Sequence, residues 1–231
     1  LKETDPAEEE IVGIVLEEDE VELATAPAEV IEKEDHVVNI LLIGQDRRPD
    51  QGRQRSDAMI LCTINKDTKT MVMTSFLRDI YISLPEYNGK KYGGNRLNVP
   101  YAIGGMEMLD QALLENFGVE VDHNVEVSFE SFTKLIDYMG GIEIELTEAE
   151  AKYLNNDDLY VKYDVQPGLQ YLDGMAALSY ARMRKAEGDA DSDIKRTARQ
   201  QKVIEILFNK VRDLSLKELQ GVADTLLPLV T

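Results

Sequence analysis

Arginine and aspartate fall together at four places in this chain: Asp46 with Arg48, Arg55 with Asp57, Arg78 with Asp79, and Arg182 and Arg184 followed by Asp193, Arg196, Arg199 and Gln200. Guanidinium forks bind phosphate bidentately, and carboxylate oxygens hold hard cations such as Mg²⁺ whose other ligands come from phosphate. Several arginines beside two carboxylates are therefore what a pyrophosphate with its metal requires. The same residues could instead form surface ion pairs or a structural salt-bridge lattice, and residue type alone leaves both readings open. Spacing adds detail. Arg196 and Arg199 share a helical face near a helix start, where backbone N–H groups and the dipole favour anions. Arg182 and Arg184 share a face only if the chain between them is extended, since on a helix they diverge by about 200°.

The other candidates carry less. His36 and His123 have no partner motif, and Ser56 and Ser75 have no neighbouring histidine to activate them as nucleophiles. Cys62 sits in the apolar run Met59 to Ile64 and reads as a buried thiol; a lone cysteine builds neither a disulfide framework nor a zinc site. Gly104-Gly105 and Gly140-Gly141 read as turn and cap glycines, because neither pair leads into the Gly-Lys-Ser/Thr of a phosphate loop.

The elements that must position the charged clusters follow from periodicity. Val37 to Ile43 is an apolar run ended by Gly44, the pattern of a strand buried on both faces. Ala58 to Ile64 and Thr70 to Phe76 flank the polar turn 65–69 as a hairpin, and Asp79 to Leu84 reads as a further strand. The loop between the first two strands returns Asp46 and Asp57 to the same end of adjacent strands. Met106, Leu109, Leu113 and Phe117 share a helical face closed by Gly118, and residues 129–139 repeat that pattern up to Gly140-Gly141. Ile142 to Leu146 alternates as a strand with one wet face. Asp173 opens an Ala- and Leu-rich helix running into Arg182 to Arg184, Val203, Leu207, Val211 and Leu214 form one stripe, and Ser215 with Glu218 signals a capped terminal helix. The expected fold is α/β, a mixed central sheet covered by helices, as a single domain over residues 36–231 with residues 1–35 as an acidic linker or peripheral segment.

Composition sets the outer limits. With 231 residues and 43% hydrophobic content the chain can bury a core. Residues 1–35 hold 14 acidic and two basic side chains, so −12 of the −19 net charge lies there and only −7 belongs to the rest. That balance excludes non-specific binding to nucleic acid or to an anionic membrane surface. No stretch approaches the roughly 20 apolar residues of a membrane span, and Leu1 in place of Met implies a mature or trimmed fragment.

Taken in order, Asn39 to Arg48, Arg55-Ser-Asp57, Arg78-Asp79, Arg96 to Tyr101, Val121 to Val127, Tyr138 to Ile142, Gly168 with Leu172 to Arg182, and Asp193 through Gln201 resemble the successive motifs of the LytR-CpsA-Psr family over roughly residues 37 to 213. The resemblance implies an enzyme on the extracytoplasmic face of the bacterial cell membrane, anchored by an N-terminal transmembrane helix upstream of this chain. It implies transfer of wall teichoic acid, capsular or related glycopolymer from a polyprenyl-pyrophosphate carrier to peptidoglycan. It puts Mg²⁺, with Mn²⁺ as the alternative, on Asp46 and Asp57, and the pyrophosphate on Arg48, Arg55, Arg78, Arg182, Arg184, Arg196, Arg199 and Gln200. Charge developing in the reaction falls to Arg78, Arg182, Arg184 and Arg196, with Asp79 or Asp193 as base. A pyrophosphatase using water as acceptor, and a non-catalytic regulatory module, are the alternatives. Two departures stand out: Leu77 where the family has Pro before the Arg-Asp pair, and an acidic segment after Arg184 in which Asp189, Asp191 and Asp193 compete for one position. The spacing to Arg196 favours Asp193.

Overall fold

The computed structural model describes residues 34–45, 56, 58–156, 163–184 and 192–212 with a few positions from 214 to 221. They divide into two compact units, residues 1–126 and 127–231. The fold is α/β, a central mixed sheet with helices.

In the first unit, β1 (Val37–Gln45), β2 (Ala58–Asn65), β3 (Thr70–Phe76) and β6 (His123–Ser128) form one sheet in the order β3-β2-β1-β6. β1 and β2 run antiparallel from Val37 opposite Asn65 to Gly44 opposite Ala58. The polar turn after β2 forms as its residues dictate: the Asn65 side-chain oxygen accepts from the Asp67 and Thr68 amides at 3.0 and 2.9 Å, and Lys69 takes a positive φ of 56°. Burial on both faces belongs to β2, where Met59 to Cys62 are all buried, and not to β1, where Leu41 and Ile43 are buried but Ile40 and Leu42 are only partly covered. Both strands are interior to the sheet, so the difference lies in how far the second face of each is covered.

The segment read as a strand from Asp79 to Leu84 is shorter. Ile80 N–H donates to the Leu77 carbonyl at 3.2 Å, a turn carrying Arg78-Asp79, and only β4 (Tyr81–Ser83) follows, paired with β5 (Gly94–Arg96). α1 (Val99–Phe117) starts with Pro100 in its first turn and stops at Gly118, whose φ of 68° suits a residue without a Cβ. Gly104 and Gly105 lie inside this helix at a kink, not in a turn. Gly105 adopts φ 67° and ψ −147°, and a Cβ on Gly104 would come within 2.9 Å of the Tyr87 ring. Met108, Leu109 and Leu113 of α1 pack on Leu41, Ile43, Met59 and Leu61 of the sheet.

The second unit is built from α2 (Phe129–Tyr138), β7 (Ile142–Leu146), α3 (Glu148–Leu154), β8 (Gly168–Leu172), α4 (Gly174–Arg182) and α5 (Ser192–Arg212). β7 alternates buried and exposed as its sequence requires and pairs antiparallel with β8. Ser128 with Ser131 and Thr147 with Glu150 close reciprocal capping boxes on α2 and α3, and Asp173 caps α4 by accepting from the Ala176 amide at 2.8 Å. Past α2, Lys210 of α5 donates to the Gly141 carbonyl at 2.7 Å. Val203 and Leu207 carry the α5 stripe into a core with Ile136, Ile144, Leu172 and Tyr180. Of the expected terminal helix, Glu218 lies outside the described residues.

α4 and α2 approach so closely that a Cβ on Gly174 would press into the Thr133 carbonyl oxygen, while the Gly174 amide donates to Asp137 at 2.7 Å. Gly174→Ala is expected to cost about 1–3 kcal/mol, because the obstacle is backbone and cannot turn aside. Urea denaturation measures it; a midpoint equal to that of the parent chain would show that the helices part freely.

Candidate functional site

Each unit carries part of the charged clusters singled out in the sequence. In the first, the turn between β3 and β4 presents Arg78 and Asp79, held by Leu97 N–H donating to the Ile80 carbonyl at 2.8 Å and Asn98 N–H to the Arg78 carbonyl at 3.3 Å. Asp79 faces two guanidinium groups, Arg78 at 3.4 Å and Arg96 at 3.3 Å. Arg96 arrives because the β4–β5 register sets it opposite Tyr81, two residues past Asp79. It belongs to a motif recognised in the sequence but was not expected as a site residue. These ion pairs are long and partly exposed, so each is worth at most about 1 kcal/mol.

In the second unit, α4 ends at Arg182 and Met183 follows in an extended conformation, φ −56° and ψ 121°. Met183 is 0% exposed, whereas Arg182 and Arg184 on either side of it are exposed. That is the extended arrangement that lets an Arg-x-Arg pair act together. The Arg182 guanidinium lies 4.2 Å from the centroid of the Phe129 ring, a cation–π stack that restricts where its fork can point. Phe129 is the first residue of α2, and its place in the apolar pattern of residues 129–139 gives no sign of this contact.

On α5, Arg196 and Arg199 share a face as their spacing predicts, but that face is turned inward: both residues are 6% exposed. Arg196 pairs with Asp193 one turn earlier at 2.9 Å. Arg199 donates from Nε to Glu150 at 2.8 Å and from its terminal nitrogen to the Met183 carbonyl at 3.2 Å. Gln200, the next residue, is half-buried. Glu150 is itself 8% exposed, and its second oxygen accepts from the Thr147 amide and hydroxyl, each at 3.0 Å. Burial alone would push the Glu150 carboxyl up; hydrogen bonds from Arg199 and Thr147, with the charge of Arg199, outweigh it and hold the carboxyl below the ordinary carboxylate range. The neighbouring Tyr180 phenol is pushed up, first by burial and then by the Glu150 charge.

Asp46, Arg48, Arg55 and Asp57, with Asp189 and Asp191, lie outside the described residues. What is described is the backbone that leads to the two aspartates. Gly44 sits opposite Ala58, so residue 46 follows one member of that pair by two positions and residue 57 precedes the other by one. Among the described residues no group of three or more histidine, cysteine or acidic side chains gathers as for a metal, and no helix is long and apolar enough to cross a membrane.

The model of the LytR_cpsA_psr family matches residues 10–231. The polyisoprenyl-teichoic acid–peptidoglycan teichoic acid transferase TagT of Bacillus subtilis is 32% identical over 181 residues, 77% of this chain and 53% of that protein. The corresponding transferase TagU of Bacillus licheniformis is 36% identical over 177 residues, again 77% and 53%. The chain thus spans about half the length of the curated relatives it matches. The solved structure of YwtF (TagT) with bound octaprenyl pyrophosphate lipid superposes with a TM-score of 0.65 at 27% identity, covering 89% of this chain and 81% of that one. The chain belongs to the LytR-CpsA-Psr family.

Proposed function

We propose that this chain is the catalytic part of a phosphotransferase that moves a glycopolymer from a polyprenyl-pyrophosphate carrier to peptidoglycan at the outer face of a bacterial membrane. The observation that carries the reading is the Arg182-Met183-Arg184 segment, in which two exposed arginines are held on either side of a buried, extended residue. Guanidinium pairs fixed in this way suit the equatorial oxygens of phosphorus better than isolated surface charges do. Relatives that are named teichoic acid transferases, and a relative solved with octaprenyl pyrophosphate, support the substrate class.

In this reading a sugar hydroxyl of peptidoglycan attacks the phosphorus that bears the glycan. A new P–O bond forms to the acceptor, and the bond to the bridging oxygen breaks. The bond pair leaves with polyprenyl phosphate, and the hydroxyl proton passes to Asp79 or Asp193. The proposed phosphate ligands are Arg78, Arg182, Arg184 and Arg196 with Gln200, together with Arg48 and Arg55. Asp46 and Asp57 would hold Mg²⁺, or Mn²⁺ in its place, which when bound neutralises charge on the pyrophosphate oxygens. Because transfer of this kind is mostly positioning and charge stabilisation, residues that only bind and orient can supply most of the catalysis.

Octaprenyl pyrophosphate is expected to raise the melting temperature of the chain, more with Mg²⁺ than without, because a ligand held at 100 times its Kd stabilises by about 2.7 kcal/mol. Asp57→Ala should abolish the metal-dependent part. A melting temperature that octaprenyl pyrophosphate leaves unmoved with or without Mg²⁺ removes the support for the site. With a lipid-linked glycan, product analysis separates transfer from hydrolysis: peptidoglycan-linked polymer supports the proposal, and release of polymer to water alone points to a pyrophosphatase.

A further inference from the structure

We propose that Glu150 and Arg199 are positioning residues which fix the backbone between Arg182 and Arg184, and so present that arginine pair to a pyrophosphate in one geometry. This rests on the reading of the pair as phosphate ligands. The connection is a chain of contacts across three elements. Thr147 orients one oxygen of Glu150 through its amide and hydroxyl, each at 3.0 Å; the other oxygen receives Nε of Arg199 at 2.8 Å; Arg199 then holds the Met183 carbonyl at 3.2 Å. Met183 is the residue on which the orientation of both arginines depends, and its own side chain is 0% exposed. Backbone and side chain are thus both pinned at one point of the chain just past the end of α4.

Stability alone gives no reason for the pair. A buried ion pair is often no better than apolar side chains of equal volume, because desolvation offsets the attraction. What a guanidinium offers that an apolar side chain cannot is several donors in a fixed plane, so that Arg199 can hold a carboxylate and a carbonyl at once. Spacing in the sequence pointed to Arg199 as a phosphate ligand. The two roles predict opposite results when Glu150 is neutralised: a ligand arginine is released toward the anion, whereas a positioning arginine loses its anchor and the pair on either side of Met183 loses its shape.

The test measures affinity of the full chain for octaprenyl pyrophosphate and for octaprenyl monophosphate, with melting curves alongside. Glu150→Gln keeps side-chain length, and Arg199→Lys keeps the charge while removing the fork. Each is expected to weaken pyrophosphate binding about tenfold, the lower end of the loss when a group that orients a binding residue is changed, and to reduce the preference over monophosphate. Val203→Ala, at a 0% exposed position of the same helix, should lower the melting temperature and leave that preference unchanged. Pyrophosphate affinity that stays the same or rises in Glu150→Gln overturns the positioning role. Should that variant not fold, an unchanged preference in Arg199→Lys overturns it equally. The double variant Arg182→Ala with Arg184→Ala tests the underlying reading: if it binds as the parent does, the phosphate assignment fails and the positioning role with it, whereas loss in the double variant beside normal binding in Glu150→Gln removes only the latter.

Discussion

Replacing Arg182 by alanine is expected to lower turnover of a polyprenyl-pyrophosphate-linked glycan by about 10²–10³-fold, the loss typical of removing one preorganised donor from a site where charge develops. The expectation rests on preorganisation rather than on charge as such. The guanidinium is exposed yet stacked 4.2 Å over Phe129, so less freedom is lost when it meets a phosphate. Arg182→Lys should recover little, because an ammonium keeps the charge but has neither the fork nor the planar face that stacks. Phe129→Leu should fall between, at about two- to thirtyfold, the value of a cation–π contact of about 0.5–2 kcal/mol. Single-turnover rates with saturating lipid separate this from binding. Rates within threefold of the parent in Arg182→Ala would place the charge stabilisation elsewhere.

The elements were more legible than the site. Strict alternation in Ile142 to Leu146, the polar turn after Ala58 to Ile64, and the glycines closing α1 and α2 each have one cheap solution, and the structure adopts it. Asp79 to Leu84 misled because apolar residues in a short run do not distinguish a strand from a turn followed by three paired residues. Gly104 and Gly105 misled for a related reason: a kink that admits the Tyr87 ring needs the same glycines as a loop. At the site, the residue types and the shared face of Arg196 and Arg199 could be read, but not that the face is buried. The partner that buries Arg199 is Glu150, 49 residues earlier. A signal for Glu150 did exist, since Thr147-Glu-Ala-Glu150 is a capping-box pattern; the cap orients the carboxylate, and only tertiary structure shows toward what. Arg96 likewise reaches Asp79 through strand register, which no local pattern encodes.

Arg199→Ala should be the most damaging single change to stability among the charged residues, at about 3–5 kcal/mol, because it leaves a buried carboxylate without its cation. Its dependence on pH identifies the cause. In the parent chain Glu150 is held below the ordinary carboxylate range, so the stabilisation it contributes is complete above the pKa of the unfolded carboxyl and is lost as pH falls through the lower folded value. Without Arg199, burial acts against the charged form with only Thr147 opposing it, and the carboxyl moves upward. Folding of the variant then favours proton uptake, so its deficit relative to the parent is greatest near neutral pH and shrinks as the solution approaches about pH 4.5. Urea titrations at both pH values give the two differences directly. A deficit below about 1 kcal/mol, or one that does not shrink on acidification, would mean that the pair is solvated and weak. Changing both partners, Glu150→Leu with Arg199→Met, removes the buried charges together and should recover most of the lost stability. The preference for pyrophosphate over monophosphate should stay lost in that double variant, because neither new side chain can hold the Met183 carbonyl.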